Sequence, residues 1–325
     1  MRAVYINEFG GPESLEVREI PEPSVAPGKI KVRVSHAGVN RADILQRRGL
    51  YPGPEGYDPH RPGLEFAGVV VECGEGVSRF NTGDRIFGIT SGEAQAEFVV
   101  VDQRLVAAIP EVISLEASAA VTEAYVTAHD ALVTQADLRK GESVLIHAAA
   151  SGVGIAACQI AKARGAKVIA TSRTAEKLDE LSAFYDHAII PESGPVFTER
   201  VMELTEGRGV DVVLDLVGGA YFPENLKSLA SKGRMILVGL TAGRKAEFDL
   251  GMALAKRLTI KGTVLRSRSV EEKGDAMAAF ARDVVPRLGR EYAPIIDAVF
   301  PVESVREAHE RVESNKNIGK VILSF

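Results

Sequence analysis

The sequence predicts a two-part α/β protein, with a doubly wound parallel sheet of six strands in one part and a β-rich domain in the other. Three observations carry this. Between residues 141 and 265, short apolar strand-like runs alternate with helical patterns, as right-handed βαβ crossovers require. Residues 1–120 hold strand-like runs punctuated by glycine and proline, with one helical interruption. The chain closes on Gly319-Lys320-Val321-Ile322-Leu323, an apolar strand that most simply returns to the first domain's sheet and makes that domain discontinuous.

In chain order, the β-rich part reads as strands at 30–34 (IKVRV), 67–72 (AGVVVE), 85–88 (RIFG) and 96–101 (AEFVVV), with a helix at 41–48. Gly-Asp and Pro-Gly breaks at this spacing suggest an irregular barrel or sandwich. Residues 52–62 contain four prolines and form the longest loop. From Ser114 the pattern turns helical, at 116–121 and 123–133, and marks a domain boundary. After a strand at 144–146 come five more, at 166–171, 188–190, 210–217, 233–240 and 258–265, separated by helical patterns at 175–183, 197–206 and 221–230. Beyond 265 the periodicity is helical at 274–288 and 302–313. The expected domains are therefore 1–121 with 267–325, and 122–266.

Composition narrows the function. The chain has 325 residues, 46% hydrophobic and 26% charged, enough for two packed cores. A net charge of −5 gives no electrostatic reason to expect nucleic acid or a membrane surface, so a small ligand is expected. Two cysteines, Cys73 and Cys158, are too few for a disulfide framework or a four-thiolate zinc lobe and fit a reduced, cytoplasmic setting. The N-terminus lacks the apolar core of a signal peptide, and no apolar run approaches the roughly 20 residues that span a bilayer.

The stretch 141–159, GESVLIHAAASGVGIAACQ, reads as strand, tight turn and helix. Small residues let the backbone approach a pyrophosphate, while the amides and positive end of the following helix face its charge. Ala149, Ser151 and Gly154 hold the three glycine positions of the dinucleotide fingerprint, with Gly152 and Val153 between. Alone, the turn serves equally as an ordinary βα connection.

Its surroundings add chemistry. The second strand ends at Thr171-Ser172-Arg173, where an NAD site would carry an acid about 20 residues after the turn to bind the ribose hydroxyls. None is present; Ser172, Arg173 and Lys177 instead offer a hydroxyl and positive charge to a 2′-phosphate, or form a solvated helix start. Later strands end at Val217 before Gly218-Gly219, and at Gly239-Leu240, where ligands of an open parallel sheet lie.

The whole chain resembles the zinc-free quinone oxidoreductases, the zeta-crystallin-like group of the medium-chain dehydrogenase/reductase superfamily. The likeness rests on Gly10-Gly11-Pro12-Glu13, on Val39-Asn40-Arg41-Ala42-Asp43 continuing to Arg48-Gly49-Leu50-Tyr51, and on Pro62-Gly63-Leu64-Glu65-Phe66-Ala67-Gly68. It extends to the turn 148–154 with Gln159, the strand 210–219 and Asn317-Ile318-Gly319-Lys320. The resemblance implies a chaperonin-10 (GroES)-like domain for the substrate, a Rossmann domain for NADPH, and homodimers joined through the edge strand at 259–265. It further implies Asn40, Tyr51 and Thr127 near the nicotinamide or substrate, with Val264, Leu265, Arg266 and Lys320 among the cofactor-binding residues. Zinc-dependent members carry Cys, His and usually Cys where this chain has Asn40, Leu64 and Glu123, so no metal is expected.

The implied reaction is hydride transfer from NADPH to a quinone; the carbon–carbon double bond of an enone or alkenal is the alternative acceptor. A non-catalytic structural or RNA-binding role, found among zeta-crystallin-like proteins, conflicts for RNA with the acidic balance and the missing basic stripe. Two features depart from the family. Ser151 stands where glycine is common, so its side chain must avoid the phosphates or bond one. The usual Asn-Tyr at the end of the third strand is replaced by Ile190-Pro191, which removes a tyrosine contact to the adenosine phosphate. Arg41 and Asp43 are expected as a structural ion pair and a helix-start cap.

Overall fold

The computed structural model describes residues 1–191 and 194–325, and it divides into two compact units. The first comprises Met1–Val126 and Leu265–Phe325, the second Thr127–Val264.

In chain order the elements of the first segment are β1 (Arg2–Ile6), β2 (Leu15–Glu19), β3 (Lys29–Val39), α1 (Arg41–Arg47), β4 (Glu65–Cys73), β5 (Arg85–Ile89), β6 (Phe98–Asp102), β7 (Val106–Ala108), α2 (Leu115–Ser118) and α3 (Thr122–His129). The second unit contributes β8 (Ser143–Ile146), α4 (Gly152–Ala163), β9 (Lys167–Thr171), α5 (Ala175–Asp179), β10 (His187–Ile189), α6 (Thr198–Leu204), β11 (Val210–Asp215), α7 (Phe222–Ser228), β12 (Leu229–Leu237), α8 (Leu250–Lys256) and β13 (Thr259–Gly262). The chain ends with α9 (Val270–Asp283), β14 (Ile296–Pro301), α10 (Val305–Glu313) and β15 (Lys320–Ser324).

Among the described residues, the first unit is built on a seven-stranded sheet in the order β14-β15-β3-β4-β5-β7, with β6 also on β3. The closing strand returns as expected: β15 pairs antiparallel with β3, Val321 opposite Val39. This pairing brings Lys320 to the end of the strand that leads into α1. Val39, Ile44, Val305, Val312, Val321 and Leu323 share one buried cluster that locks α1 and α10 onto the sheet. Gly68 of β4 has no room for a side chain, since a Cβ would meet the Arg33 carbonyl oxygen at 2.2 Å.

The second unit holds the expected six-stranded parallel sheet, ordered β10-β9-β8-β11-β12-β13. The order reverses direction between β8 and β11, the switch point at which open parallel sheets bind ligands beyond their carboxyl ends. Leu145, Ile169, Val213 and Met235 from four strands pack against Phe197, Val201 and Leu226.

Several elements differ from the sequence reading. The β1–β2 hairpin and β14 were not singled out. β14 is a half-buried edge strand without strict alternation, so the period that identifies a strand is missing. The helix expected at 123–133 ends at His129 and continues as π-helical turns over Asp130–Gln135. β12 starts at Leu229, earlier than expected, because Lys232 (φ +63°) lets the strand bend before Gly233.

Candidate functional site

In the second unit, the turn after β8 is a close-packed device. Ala148 adopts φ +47°, Ala149 N donates to Thr171 O at 2.9 Å, and Ser151 N donates to Ala148 O at 2.9 Å. Ser151 is the N-cap of α4, its Oγ accepting from Gly154 N at 3.1 Å. The serine therefore has a local role, since its hydroxyl satisfies a helix amide. Gly154 is required, since a Cβ would meet Ala148 O at 2.4 Å and Ala149 Cα at 2.7 Å. The half-exposed Gly152 and Val153 carry the first amides of α4, which have no acceptor among the described residues. An anionic pyrophosphate fits this arrangement, which joins backbone donors, a positive helix end and a turn of small side chains.

Behind the turn lies a buried polar network. Asp215 Oδ1 accepts from Val217 N and Gly218 N, each at 2.8 Å, and Oδ2 accepts from Asn225 Nδ2 at 3.0 Å. Asn225 Oδ1 lies 2.6 Å from His147 Nε2, and His147 Nδ1 lies 2.9 Å from Thr171 Oγ1. Because the Asn225 amide nitrogen faces Asp215, its oxygen must accept, so His147 donates through Nε2 and accepts from Thr171. Burial lowers the pKa of His147, against the Asp215 charge, which suits this neutral form. The network fixes the carboxyl ends of β8, β9 and β11 together. Gly218 (φ +66°) and Gly239 are crowded: Cβ atoms there would meet Leu240 Cδ2 at 2.7 Å and Leu216 O at 2.6 Å.

At the end of β9, Ser172 is buried, Arg173 is exposed and Lys177 is half-buried on α5. Leu240 and Val264 are apolar yet 50% and 43% exposed. Thr127, half-buried on α3, is the first residue of the second unit.

In the first unit, a cluster of charges surrounds Asn40, the residue between β3 and α1. Lys320 Nζ donates to Asn40 Oδ1 and to Glu65 Oε1, both at 2.5 Å, and Asn40 Nδ2 donates to Glu65 Oε1 at 3.0 Å. An ammonium only donates, so the Asn40 amide has one possible orientation. One of its two Nδ2 hydrogens remains uncommitted on a half-buried residue. Glu65, fully buried, also accepts from Glu123 N at 2.9 Å and from Thr122 Oγ1 at 3.4 Å. Gly38 leaves room for that carboxylate: a Cβ there would meet Glu65 Oε1 at 2.2 Å. Asp43 accepts from Asn40 N at 2.7 Å and Gly63 N at 2.9 Å, so it caps α1 as expected. Burial raises its pKa to about 6 against these donors. Arg41 donates to Val312 O at 2.7 Å and to Asn315 Oδ1, anchoring α10.

Tyr51 sits on the proline-rich loop beside Arg266, whose guanidinium lies 5.1 Å from the phenol ring centre. Arg266 donates to Tyr51 O at 2.9 Å, Ser91 O at 2.8 Å and Gln46 Oε1 at 2.5 Å. Burial raises the Tyr51 phenol's pKa, and the Glu123 charge raises it further. Arg266 and Lys320, expected among cofactor-binding residues, thus both have protein partners inside the first unit. Arg266 fixes the loop that carries Tyr51, and Lys320 fixes the Asn40 amide. Sequence reasoning missed Glu65 as an organiser, although a carboxylate opening the apolar run EFAGVVV was a visible signal. Gln46 and Ser91 gave no signal, because their partners are main-chain groups or distant in sequence.

Comparison with known proteins gives a consistent picture. A family profile described as alcohol dehydrogenase GroES-like domain matches residues 26–111, and one described as zinc-binding dehydrogenase matches residues 152–282. The chain is 32% identical over 329 residues to a Homo sapiens protein named quinone oxidoreductase, covering 99% of this chain and 97% of that one. Among solved structures, mycobacterial Rv1454c complexed with NADPH superposes with a TM-score of 0.89 at 30% identity, over 100% of both chains. The CurK enoyl reductase superposes with a TM-score of 0.88 at 26% identity, over 99% of this chain and 98% of that one.

Proposed function

The chain belongs to the quinone oxidoreductase family of the medium-chain dehydrogenase/reductase superfamily, and on that premise we propose that it reduces quinones with NADPH and without a metal. It is an oxidoreductase with a nicotinamide cofactor; the acceptor, the cofactor's 2′-phosphate and the metal independence are the parts proposed. The cofactor supplies hydride. The turn 148–154 holds the pyrophosphate through the Gly152 and Val153 amides, with Val217, Gly239 and Leu240 at the neighbouring strand ends. Ser172, Arg173 and Lys177 bind the 2′-phosphate; the absence of an acid at this strand end and the mycobacterial NADPH complex support that choice.

The observation that carries the acceptor assignment is the Asn40 amide, oriented by Lys320 and Glu65 with one Nδ2 hydrogen uncommitted. Such a donor is fixed before substrate arrives, so it stabilises a developing oxyanion without reorganising. Tyr51, held by Arg266, is the second donor. A quinone already accepts hydride readily and spreads the product charge, so positioning supplies much of the catalysis.

Metal independence is supported by Asn40, Leu64 and Glu123, none of them the thiolate or imidazole of a catalytic zinc site. Among the described residues no group of three or more His, Cys, Asp or Glu side chains is arranged to hold a metal ion. The match to the zinc-binding dehydrogenase profile includes none of those three positions.

The likeness to CurK supports a second reading, reduction of an enone or alkenal double bond, for which the same oriented donor would hold the carbonyl. NADPH and NADH oxidation measured with a panel of quinones and 2-alkenals separates the readings. Turnover of alkenals alone would replace the first by the second, equal use of NADH would remove the 2′-phosphate assignment, and stoichiometric zinc would end the metal-free mechanism.

We also propose a homodimer formed through the 259–265 edge and a cytoplasmic setting. β13 has a strand neighbour on one side only, leaving its other edge open to a second copy. Both cysteines are free, as a reducing compartment requires, and among the described residues no helix is long and apolar enough to cross a membrane.

A further inference from the structure

The cluster around Asn40 contains three carboxyl groups, of which two have evident structural work. Asp43 caps α1 and Glu65 gathers four donors. The third, Glu123, lies in the first turn of α3 with its backbone amide pinned to Glu65 Oε2. Its carboxyl has no hydrogen-bond or ion-pair partner among the described residues, although the residue is half-buried. A half-buried carboxyl without a partner is a poor structural element.

We propose that Glu123 is the proton donor of the reaction, passing its carboxyl proton to the oxyanion left on the substrate after hydride transfer. This rests on the reductase reading above. Hydride transfer adds two electrons and one hydrogen to the quinone and leaves a hydroquinone monoanion. The O–H bond of Glu123 then breaks, its proton bonds to the substrate oxygen, and the electron pair stays on the carboxylate. Water reprotonates Glu123 through its exposed side. With an enone the same proton neutralises the enolate.

The groups around Glu123 decide its charge. Glu65 from β4 and Asp43 from α1 repel a negative charge there, while Lys320 from β15 and Arg266 attract one. Lys273 from α9 and the Tyr51 phenol also interact with it. Burial is the largest influence and the Glu65 charge the next; together they raise Glu123 to about 8, so it carries a proton at neutral pH. A donor in that range suits proton transfer near neutrality. The alternatives are weaker: Tyr51 is raised further from neutrality, and Lys320 is committed to Asn40 and Glu65.

The test compares the wild type with Glu123→Gln and Glu123→Asp, using NADPH and whichever quinone or alkenal the wild type turns over. Glu123→Gln is expected to lower kcat about 100-fold, leave NADPH affinity by fluorescence titration unchanged, and abolish the loss of rate above about pH 8 that the proposal predicts for the wild type. Glu123→Asp is expected to restore part of the rate together with the pH limb. Without cofactor, the infrared difference between wild type and Glu123→Gln at neutral pH should show a protonated carboxyl. Wild-type kcat and pH profile in Glu123→Gln, or an ionised Glu123 at neutral pH, would overturn the proposal while leaving the reductase reading intact. A wild type that turns over no quinone and no alkenal would overturn both.

Discussion

Replacing Lys320 by Met tests whether the Asn40 amide hangs on a buried ion pair. Lys320 is 5% exposed, Glu65 is fully buried, and their charges meet at 2.5 Å. Methionine keeps most of the apolar stem but removes the ammonium. Glu65 then retains Asn40 Nδ2 at 3.0 Å, Glu123 N at 2.9 Å and the longer Thr122 contact at 3.4 Å. Those donors serve both proteins equally, so the loss is that of an uncompensated buried charge, about 3–5 kcal/mol. For a unit of this size 1 kcal/mol moves the unfolding midpoint by about 2–4 °C, so the shift expected is on the order of 10 °C. The assay is urea and thermal unfolding of Lys320→Met, Glu65→Gln and the double variant. The double variant, with no charge left to bury, is expected to be more stable than Lys320→Met alone. It should still lose activity, because Asn40 Oδ1 has lost the partner that orients it. A Lys320→Met protein within about 0.5 kcal/mol of wild type, or additive effects in the cycle, would refute the ion-pair reasoning.

Three further outcomes are expected. Gly154→Ala forces a Cβ to within 2.4 Å of Ala148 O, so α4 must move off the turn; NADPH affinity by fluorescence titration should fall at least about tenfold, as a helix displaced from its anion would cause. Changing Arg173 and Lys177 together to Ala should raise the dissociation constant for NADPH and leave that for NADH nearly constant, narrowing the preference; equal losses for both cofactors would show that the two side chains are not reading the 2′-phosphate. The raised carboxyl of Glu123 makes the folded state hold a proton that the unfolded chain releases, so its stabilising contribution is complete below about pH 4.5 and disappears as pH rises through about 8. Urea midpoints measured across that window should decline more steeply for wild type than for Glu123→Gln.

The parts of the fold legible in the sequence are those whose cause is local. Val144 to Ile146 followed by small residues and a helical pattern identifies β8, the turn and α4, because strand, turn and helix all lie within one short stretch. The parallel, doubly wound character of the sheet follows once the alternation of strands and helices is read, because right-handed crossovers place helices on its faces. β14 escaped because an edge strand half-buried on both faces has no reason to alternate. Even Ser151, which looked like a departure that the phosphates would have to accommodate, has a local cause: its hydroxyl caps α4.

The Asn40 cluster was legible only as a set of residue types. Its organising contacts join Asn40 to Glu65 across 25 positions and Lys320 to Glu65 across 255, a separation bridged only because β15 pairs with β3. Nothing in the local pattern distinguishes a lysine that binds a ligand from one that orients an asparagine, since both ask only for a long cation at a strand start. Buried ion pairs are weak stabilisers relative to apolar replacements, so the presence of Lys320 and Glu65 at under 10% exposure calls for a reason other than stability. Fixing one amide so that a single Nδ2 hydrogen is offered outward is such a reason. It predicts that the apolar pair Lys320→Met with Glu65→Leu, if the sheet accepts it, regains folding stability without regaining turnover. Recovery of both together would mean that the pair serves packing alone.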